Sequence, residues 1–140
     1  MKMKKSLVFI LIFAIVASTG CTIAPKTPSD GIWYCKELML VIEFEEDTSS
    51  VRSYDEKLFH MDLQLRAWID GGFDIVCQNN EEQIVEIYSG WRKKVTNDKF
   101  IIDLYSKADP ADHYKSQIEL KDEEYTFVKI GSYDEINKQQ

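Results

Sequence analysis

The sequence predicts an all-β fold: a single antiparallel meander of seven or eight strands that closes into a small barrel or sandwich, preceded by a helical signal peptide. Residues 21–140 hold 38 Val, Ile, Thr, Tyr, Phe and Trp residues against 13 Ala, Leu and Met, a ratio that favours strands. Apolar and polar side chains alternate in several segments, as in half-buried strands. Short loops without helical crossovers indicate a meander, and closure would remove exposed sheet edges.

The first predicted strands lie in residues 32–78. Residues 32–35 form a short apolar run, and residues 38–44 carry apolar side chains at every second position. The same alternation in residues 59–69 predicts one long half-buried strand. Residues 70–72, Asp-Gly-Gly, supply a turn that permits positive φ, and residues 73–78 return as the second strand of a hairpin.

The next strands are predicted around two polar turns. Residues 83–89 form a strand that breaks at Gly90, and residues 91–95 continue it past a bulge or bend. A tight turn at residues 96–98 leads into a strand that places Phe100, Ile102 and Leu104 on one face.

The C-terminal part is predicted as a loop, two short strands and a tail. The polar loop covers residues 106–113, and strands at residues 116–120 and 125–130 flank a turn at residues 121–124. Residues 131–140 are predicted to be a disordered tail.

The first twenty residues have the composition of a secretory signal. They hold three Lys, no acid and 13 of the 62 apolar residues, with an unbroken apolar run at residues 7–17. A membrane-spanning helix needs about 20 apolar residues, so this run is too short for a permanent anchor. The remaining 120 residues carry 14 basic and 24 acidic groups, a net charge of −10, which argues against nucleic-acid binding.

Cys21 follows the small residues Ser18, Thr19 and Gly20, and this arrangement resembles the lipobox of bacterial lipoproteins. The resemblance implies that residues 1–20 are cleaved and that Cys21 carries a diacylglyceryl group, although Ser18 stands where that family usually has Leu. Residues 21–30 then form a Pro-, Thr- and Ser-rich tether. Two or more acyl chains hold a protein stably on a membrane, so we expect an exported, lipid-anchored protein on the extracytoplasmic face of the cell membrane.

Residues 31–130, the predicted β domain, resemble small bacterial lipoproteins that open with a Gly-x-Trp-Tyr-Cys strand and end in a Tyr-Thr-Phe-Val strand. Here the motifs are Gly31-Ile32-Trp33-Tyr34-Cys35 and Tyr125-Thr126-Phe127-Val128. More distantly, Gly31-x-Trp33 is similar to the opening of lipocalin-like barrels, in which the Trp plugs one barrel end. The resemblance implies a β fold and a lipid anchor, and no particular activity.

Cys35 and Cys77 form an even pair once Cys21 carries lipid. In an extracytoplasmic setting they could be joined in a disulfide that closes a loop of about 43 residues. The alternative is two buried free thiols, which are common in protein cores. The sequence slightly favours the bridge. No close cysteine pair of the zinc-binding kind is present.

Trp68 breaks the alternation of its segment by falling on the polar face, which predicts a contact surface there. Two groups with weak metal-ligand character, His60 with Asp62 and Asp109 with Asp112 and His113, are interpreted as exposed polar residues, so we expect no metal site. The cluster at residues 92–94, Arg-Lys-Lys, is interpreted as a solvated strand face rather than a lipid-headgroup patch.

Nucleophile and zinc-hydrolase motifs such as G-x-S-x-G and H-E-x-x-H are missing from the chain, so we expect neither enzymatic activity nor a cofactor. Two functions are predicted instead. The Gly-x-Trp opening and the aromatic content suggest a ligand-binding barrel. Trp68 and the acidic surface suggest a protein-interaction or accessory module of the cell envelope. The expected partners are the membrane, through Cys21, and a small ligand or an envelope protein.

Overall fold

The computed structural model describes residues 27–66 and 71–138, which form one antiparallel sheet of eight strands. The strands are β1 (Gly31–Cys35), β2 (Leu40–Glu45), β3 (Thr48–Ser53), β4 (Leu63–Arg66), β5 (Gly72–Gln78), β6 (Ile84–Val95), β7 (Lys99–Ala108) and β8 (Gln117–Ile130). A 3-10 helix at Pro110–Asp112 and a one-turn helix α1 at Asp134–Asn137 complete the described secondary structure. The all-β meander is confirmed, and the signal peptide lies outside the described residues.

The sheet is nearly closed into a barrel. Its strand order is β3-β2-β1-β8-β7-β6-β5-β4, so the first and last strands pair with each other and the two edges are β3 and β4. Cα atoms of these two edge strands approach within 8 Å of each other. Of the two architectures that the sequence predicts, the structure therefore has the barrel rather than the sandwich.

Because neighbouring strands are antiparallel, the loops gather at two ends of the barrel. The near end holds the chain entering at residues 27–30, the loops at 46–47 and 96–98, and the start of the C-terminal segment. The far end holds the loops at 36–39, 54–62, 79–83 and 109–116. This arrangement decides where each candidate site lies relative to the N-terminal tether.

A row of aromatic rings fills the barrel interior. Phe100 stacks on Phe127, with 4.6 Å between ring centroids and 7° between planes, and lies 5.2 Å from Trp33. Phe73 continues the row, 5.8 Å from Phe127. The core is completed by fully buried aliphatic side chains, among them Leu40, Ile42, Ile75, Ile102 and Leu104.

Trp33 joins the near end to the chain that enters it. Its indole Nε1 donates to the carbonyl oxygen of Ser29 at 2.9 Å, and the Lys129 Nζ lies 5.6 Å from the Trp33 ring centroid. The same Nζ donates to the Ser29 hydroxyl at 2.9 Å. Residues 27–30 are therefore held against the near end.

Three predicted segments differ from the structure, and the first is the long strand at residues 59–69. Among its described residues only those of β4 form regular strand, because a turn covers residues 56–60; residues 67–69 lie outside the described residues. The Asp55 side chain accepts from the backbone N of Lys57, and its carbonyl oxygen accepts from the N of Leu58 and Phe59. Leu58 is buried and Phe59 is exposed, so this local turn chemistry outweighs the alternation.

The second difference is the turn predicted at residues 121–124, because β8 runs through it as one 14-residue strand. The register with β7 moves from Leu104 opposite Glu123 to Ser106 opposite Glu119. One residue of β7 thus faces three of β8, and the polar stretch forms a wide irregularity within the strand instead of reversing the chain.

The third difference is the predicted disordered tail at residues 131–140, which instead contains α1 within its described part, residues 131–138. Ile136 is fully buried against Tyr34, Val41 and Ile130 on the outer wall of the barrel. The Tyr133 hydroxyl also donates to the Glu43 carboxylate. This apolar contact fixes a segment that composition alone suggests is loose.

The predicted break at Gly90 is confirmed as an irregularity inside one continuous strand. The pairing of β6 with β7 shifts between Ser89 and Gly90. A Cβ atom at Gly90 would lie 2.0 Å from the carbonyl oxygen of Asp103. The two backbones can approach this closely only because residue 90 has no side chain.

Candidate binding site at the far end

The far end of the barrel carries an open cleft framed by two loops. The first is the β5–β6 loop at residues 79–83. Its Asn79 side chain accepts from the backbone N of Glu81 at 3.0 Å and of Gln83 at 2.9 Å. The Asn79 backbone N donates to the Gln83 carbonyl oxygen at 2.9 Å. An Asn side chain that satisfies the turn backbone in this way holds the loop in one shape.

The second loop, residues 109–116, is organised by two aspartates. Asp109 caps the 3-10 helix by accepting from the backbone N of Ala111 at 2.8 Å. The Asp112 carboxylate accepts from the backbone N of Lys115 and of Ser116, each at 3.0 Å, and from the Ser116 hydroxyl. Hydrogen bonding by the Ser116 hydroxyl lowers the pKa of Asp112.

Two consecutive residues in this loop adopt left-handed backbone conformations, His113 at φ 61° and Tyr114 at φ 63°. Such conformations are uncommon for residues other than glycine, and they concentrate at functional positions. The turn leaves His113 exposed while Tyr114 packs against the core. The loop therefore presents one side chain to solvent and fixes the next against the barrel.

The cleft between these loops has a volume of about 780 Å³, within the usual range for ligand sites. On one wall the Arg66 guanidinium pairs with the Glu86 carboxylate at 3.0 Å. Gln117 closes the floor by donating from Nε2 to the Glu86 carbonyl oxygen at 3.0 Å, and its Oε1 accepts from Ser106 at 2.7 Å. The other lining residues are Asn79, Asn80, Glu81, Gln83, Ile84, Val85, His113, Tyr114 and Lys115.

A second, smaller pocket of about 130 Å³ lies on the other side of Tyr114. It is lined by that ring, by Tyr88 and Ile87 of β6, and by the β3–β4 loop at Asp55 and Leu58. Below it the described interior is occupied by the buried aromatic and aliphatic core. The far end therefore has open volume in the cleft and in this pocket.

Cys35 and Cys77 are both buried free thiols, which matches the alternative of two thiols rather than the bridge. The Cys35 thiol lies 3.5 Å from the Glu37 carboxylate oxygen, and the Cys77 Sγ lies 4.0 Å from the Met61 Sδ. Burial raises the pKa of Cys35 from 9.0 to about 12, and the nearby charge of Glu37 adds to the rise. Burial also raises the pKa of Cys77, so neither thiol is activated as a nucleophile.

The buried thiol and its neighbour Tyr88 predict a loss of stability in alkali. Burial raises the pKa of Tyr88 from 10.0 to about 12. The unfolded chain releases these protons at lower pH than the folded chain does, so deprotonation favours unfolding. We expect a constant free energy of unfolding between about pH 7 and pH 9 and a decline from pH 9 to 12, measured by urea denaturation. Cys35→Ala should show a shallower decline, and an equal slope in both proteins would contradict this origin.

The other residues that the sequence singles out are dispersed. His60 and Asp62 are exposed in the β3–β4 loop rather than neighbours on a strand, and His60 contacts Phe59 edge-on. Asp109 and Asp112 accept hydrogen bonds from backbone N–H groups of their own loop. Across residues 27–66 and 71–138, no three His, Cys, Asp or Glu side chains form a metal-binding group.

The basic cluster at residues 92–94 does not form a continuous patch. Arg92 is buried, and Lys93 lies 3.1 Å from the Asp103 carboxylate and 2.6 Å from that of Glu124. Cys21, the predicted lipidation site, and Trp68, the predicted contact surface, both lie outside the described residues. Their roles remain predictions.

Sequence reasoning missed the cleft itself. Arg66 and Gln117 stand in strands, whereas Asn79 and Tyr114 stand in loops more than thirty residues apart in the chain. The one sequence signal near the cleft is the pair Asn79-Asn80, which predicts a turn in the β5–β6 loop. Barrel closure, which the pattern predicts only in outline, is what brings these residues together.

Comparison with protein-family models yields no match for this chain, and neither curated proteins nor solved structures match it. None of the helices in residues 27–66 and 71–138 has the length and hydropathy of a transmembrane span. The assignment of function therefore rests on the site itself.

Proposed function

We propose that the protein is a lipid-anchored, extracytoplasmic binding module whose ligand occupies the cleft at the far end of the barrel. The observation that carries the proposal is the position of the cleft. Residues 27–30 are held at the near end by Trp33 and Lys129, whereas the cleft lies between two loops of the opposite end. A module tethered through its near end presents the cleft away from the membrane surface.

The tether has suitable length and composition for this arrangement. Five residues, 22–26, separate Cys21 from the segment held at the near end, and Pro25 is among them. Pro-rich segments extend by about 3.1 Å per residue and act as semi-rigid spacers. The β domain can then stand clear of the lipid headgroups while remaining at the membrane.

The barrel interior is a less favourable place for the ligand. Trp33, Phe73, Phe100 and Phe127 are all fully buried within it, and displacing such a core costs several kcal/mol, about 3–5 for each large aromatic side chain removed. The cleft already offers charged, amide and aromatic groups at an open surface. Binding there needs no rearrangement of the core.

The anchor is tested by Cys21→Ser in the full chain. Because the variant has no thiol at residue 21, we expect it to lose metabolically incorporated palmitate and to leave the membrane fraction. Cys77→Ala, a change at a thiol within the barrel, should retain both the label and membrane association. If the Cys21→Ser protein still carried the palmitate label and remained in the membrane fraction, the lipid would be attached at another residue.

The cleft is tested by hydrogen–deuterium exchange on the full chain in native membranes and after purification in detergent. A ligand held in the cleft slows local opening, so amides at residues 79–83 and 109–116 should exchange more slowly in native membranes. The β6–β7 loop at residues 96–98, at the near end, serves as the internal control. Equal protection changes at both ends would argue against a far-end site.

A further inference from the structure

Two exposed aromatic rings form a pair on the outer wall of the barrel. Trp91 of β6 is 53% exposed and Tyr105 of β7 is 43% exposed. Their ring centroids lie 6.1 Å apart, with 43° between the planes. Large aromatic side chains usually contribute their area to a core, so an adjacent exposed pair marks a contact surface.

The strand pairing accounts for the exposure of both rings. Tyr105 is the extra residue of β7 between Leu104, opposite Gly90, and Ser106, opposite Ser89. Bulges of this kind redirect side chains and are common beside functional sites. Trp91 faces Gly72 on the other neighbouring strand, and a glycine has no side chain that could cover the indole.

The aromatic pair lies beside the cleft. The carboxylates of Asp74 and Glu86 lie near Tyr105, where they add to the effect of burial in raising its pKa. Glu86 also lines the cleft. Ser106, the residue after Tyr105, donates to Gln117 on the cleft floor at 2.7 Å. One surface therefore runs from the two far-end loops down the wall to Trp91.

The formal charges of the cleft lining balance, with Arg66 and Lys115 opposing Glu81 and Glu86. Lys93 pairs with Asp103 and Glu124 beside Trp91, and Arg66 pairs with Glu86 at the cleft wall. A strongly cationic or anionic ligand would have to compete with these pairs. The surface is better matched to a neutral ligand that combines apolar faces with many hydroxyl groups.

A neutral sugar chain has this chemistry. The C–H groups on one face of a pyranose ring stack on the electron-rich face of an aromatic ring, and its hydroxyl rim bonds to carboxylate, amide and guanidinium groups. We propose that the cleft and the Trp91–Tyr105 pair together bind a neutral oligosaccharide. This inference rests on the proposed function and names the ligand class of that site.

The test is isothermal titration calorimetry of the full chain in detergent with cellotetraose, maltotetraose and chitotetraose. Tetralysine and tetragalacturonate serve as cationic and anionic comparators. We expect saturable binding of at least one neutral tetrasaccharide. Trp91→Ala and Tyr105→Ala should each weaken it by about five- to tenfold. Tyr105→Phe should retain binding, because the ring face remains.

Phe59→Ala is the matched control, since Phe59 is an exposed aromatic of the β3–β4 loop, and it should leave the affinity unchanged. No binding of the neutral sugars, tighter binding of tetralysine, or equal affinities of Trp91→Ala and the unaltered chain would overturn the oligosaccharide assignment. If the amides of the cleft loops exchange more slowly in native membranes but none of the sugars binds, the oligosaccharide inference fails and the proposed function stands. The two tests can also disagree in the other direction. If sugar binding depends on Trp91 but the far-end amides are not protected in native membranes, the proposal that a ligand occupies the cleft in the native envelope fails and the sugar site stands.

Discussion

Gly90→Ala should lower the free energy of unfolding by about 3 kcal/mol or more, the upper part of the range for overpacked positions. The new Cβ would lie 2.0 Å from the Asp103 carbonyl oxygen, 2.9 Å from its carbonyl carbon and 3.0 Å from the Leu104 Cα. All three atoms are backbone of β7, so no side-chain rotation relieves the clash. Strands β6 and β7 must separate where both carry their irregularities.

The measurement is thermal and urea denaturation of the full chain, followed by tryptophan fluorescence. A loss of about 3 kcal/mol corresponds to a melting temperature lower by about 12 °C or more for a domain of this size. Gly131→Ala is the control, because its nearest contact would be the Glu135 Oε1 at 3.6 Å. If both alanine variants unfolded at the same temperature, the close approach at Gly90 would not be a constraint.

The sequence predicted strands best where a buried face repeats over a regular ladder. Phe100, Ile102 and Leu104 alternate in the sequence and are all fully buried in β7. The irregularity at Gly90 was also predicted, since glycine inside a strand pattern signals a bulge or close backbone approach. In both cases the signal lies in the residue pattern of the segment itself.

The missed elements depend on the surfaces they pair with or pack against, and their own residue pattern does not show those surfaces. β3, with the sequence Thr-Ser-Ser-Val-Arg-Ser, contains Val51 as its only large apolar side chain. It is a strand because it pairs residue by residue with β2. Similarly, residues 131–138 hold α1 because Ile136 finds an apolar site on the outer wall. The composition of such a segment shows that it is polar, but it does not show which surface of the barrel the segment packs against.

The candidate site illustrates the same limit. The backbone turn at Asn79 and the Pro110–Asp112 loop are each recognisable as polar connections. Their approach across the far end follows only from closure of the barrel and from the order of the strands. The outward position of Tyr105 depends on a register shift that residue alternation does not encode.

Phe100→Ala should lower the free energy of unfolding by about 3–5 kcal/mol, the usual cost of removing a large buried aromatic side chain. Phe100 lies between Trp33 of β1 and Phe127 of β8. Its ring thus packs across the junction where the first and last strands pair. The cavity would open beside that junction, and the surrounding sheet can collapse only partly because its ladders fix the strand spacing.

Phe59→Ala makes the same chemical change at a ring that is 64% exposed and should alter stability by less than about 0.5 kcal/mol. Urea denaturation of the two variants compares them directly, and Trp33, 5.2 Å from Phe100, reports the core change in its fluorescence. Similar unfolding midpoints for the two variants would mean that the aromatic row is not the stabilising core. A large difference would show that the aromatic row between β1 and β8 stabilises the barrel.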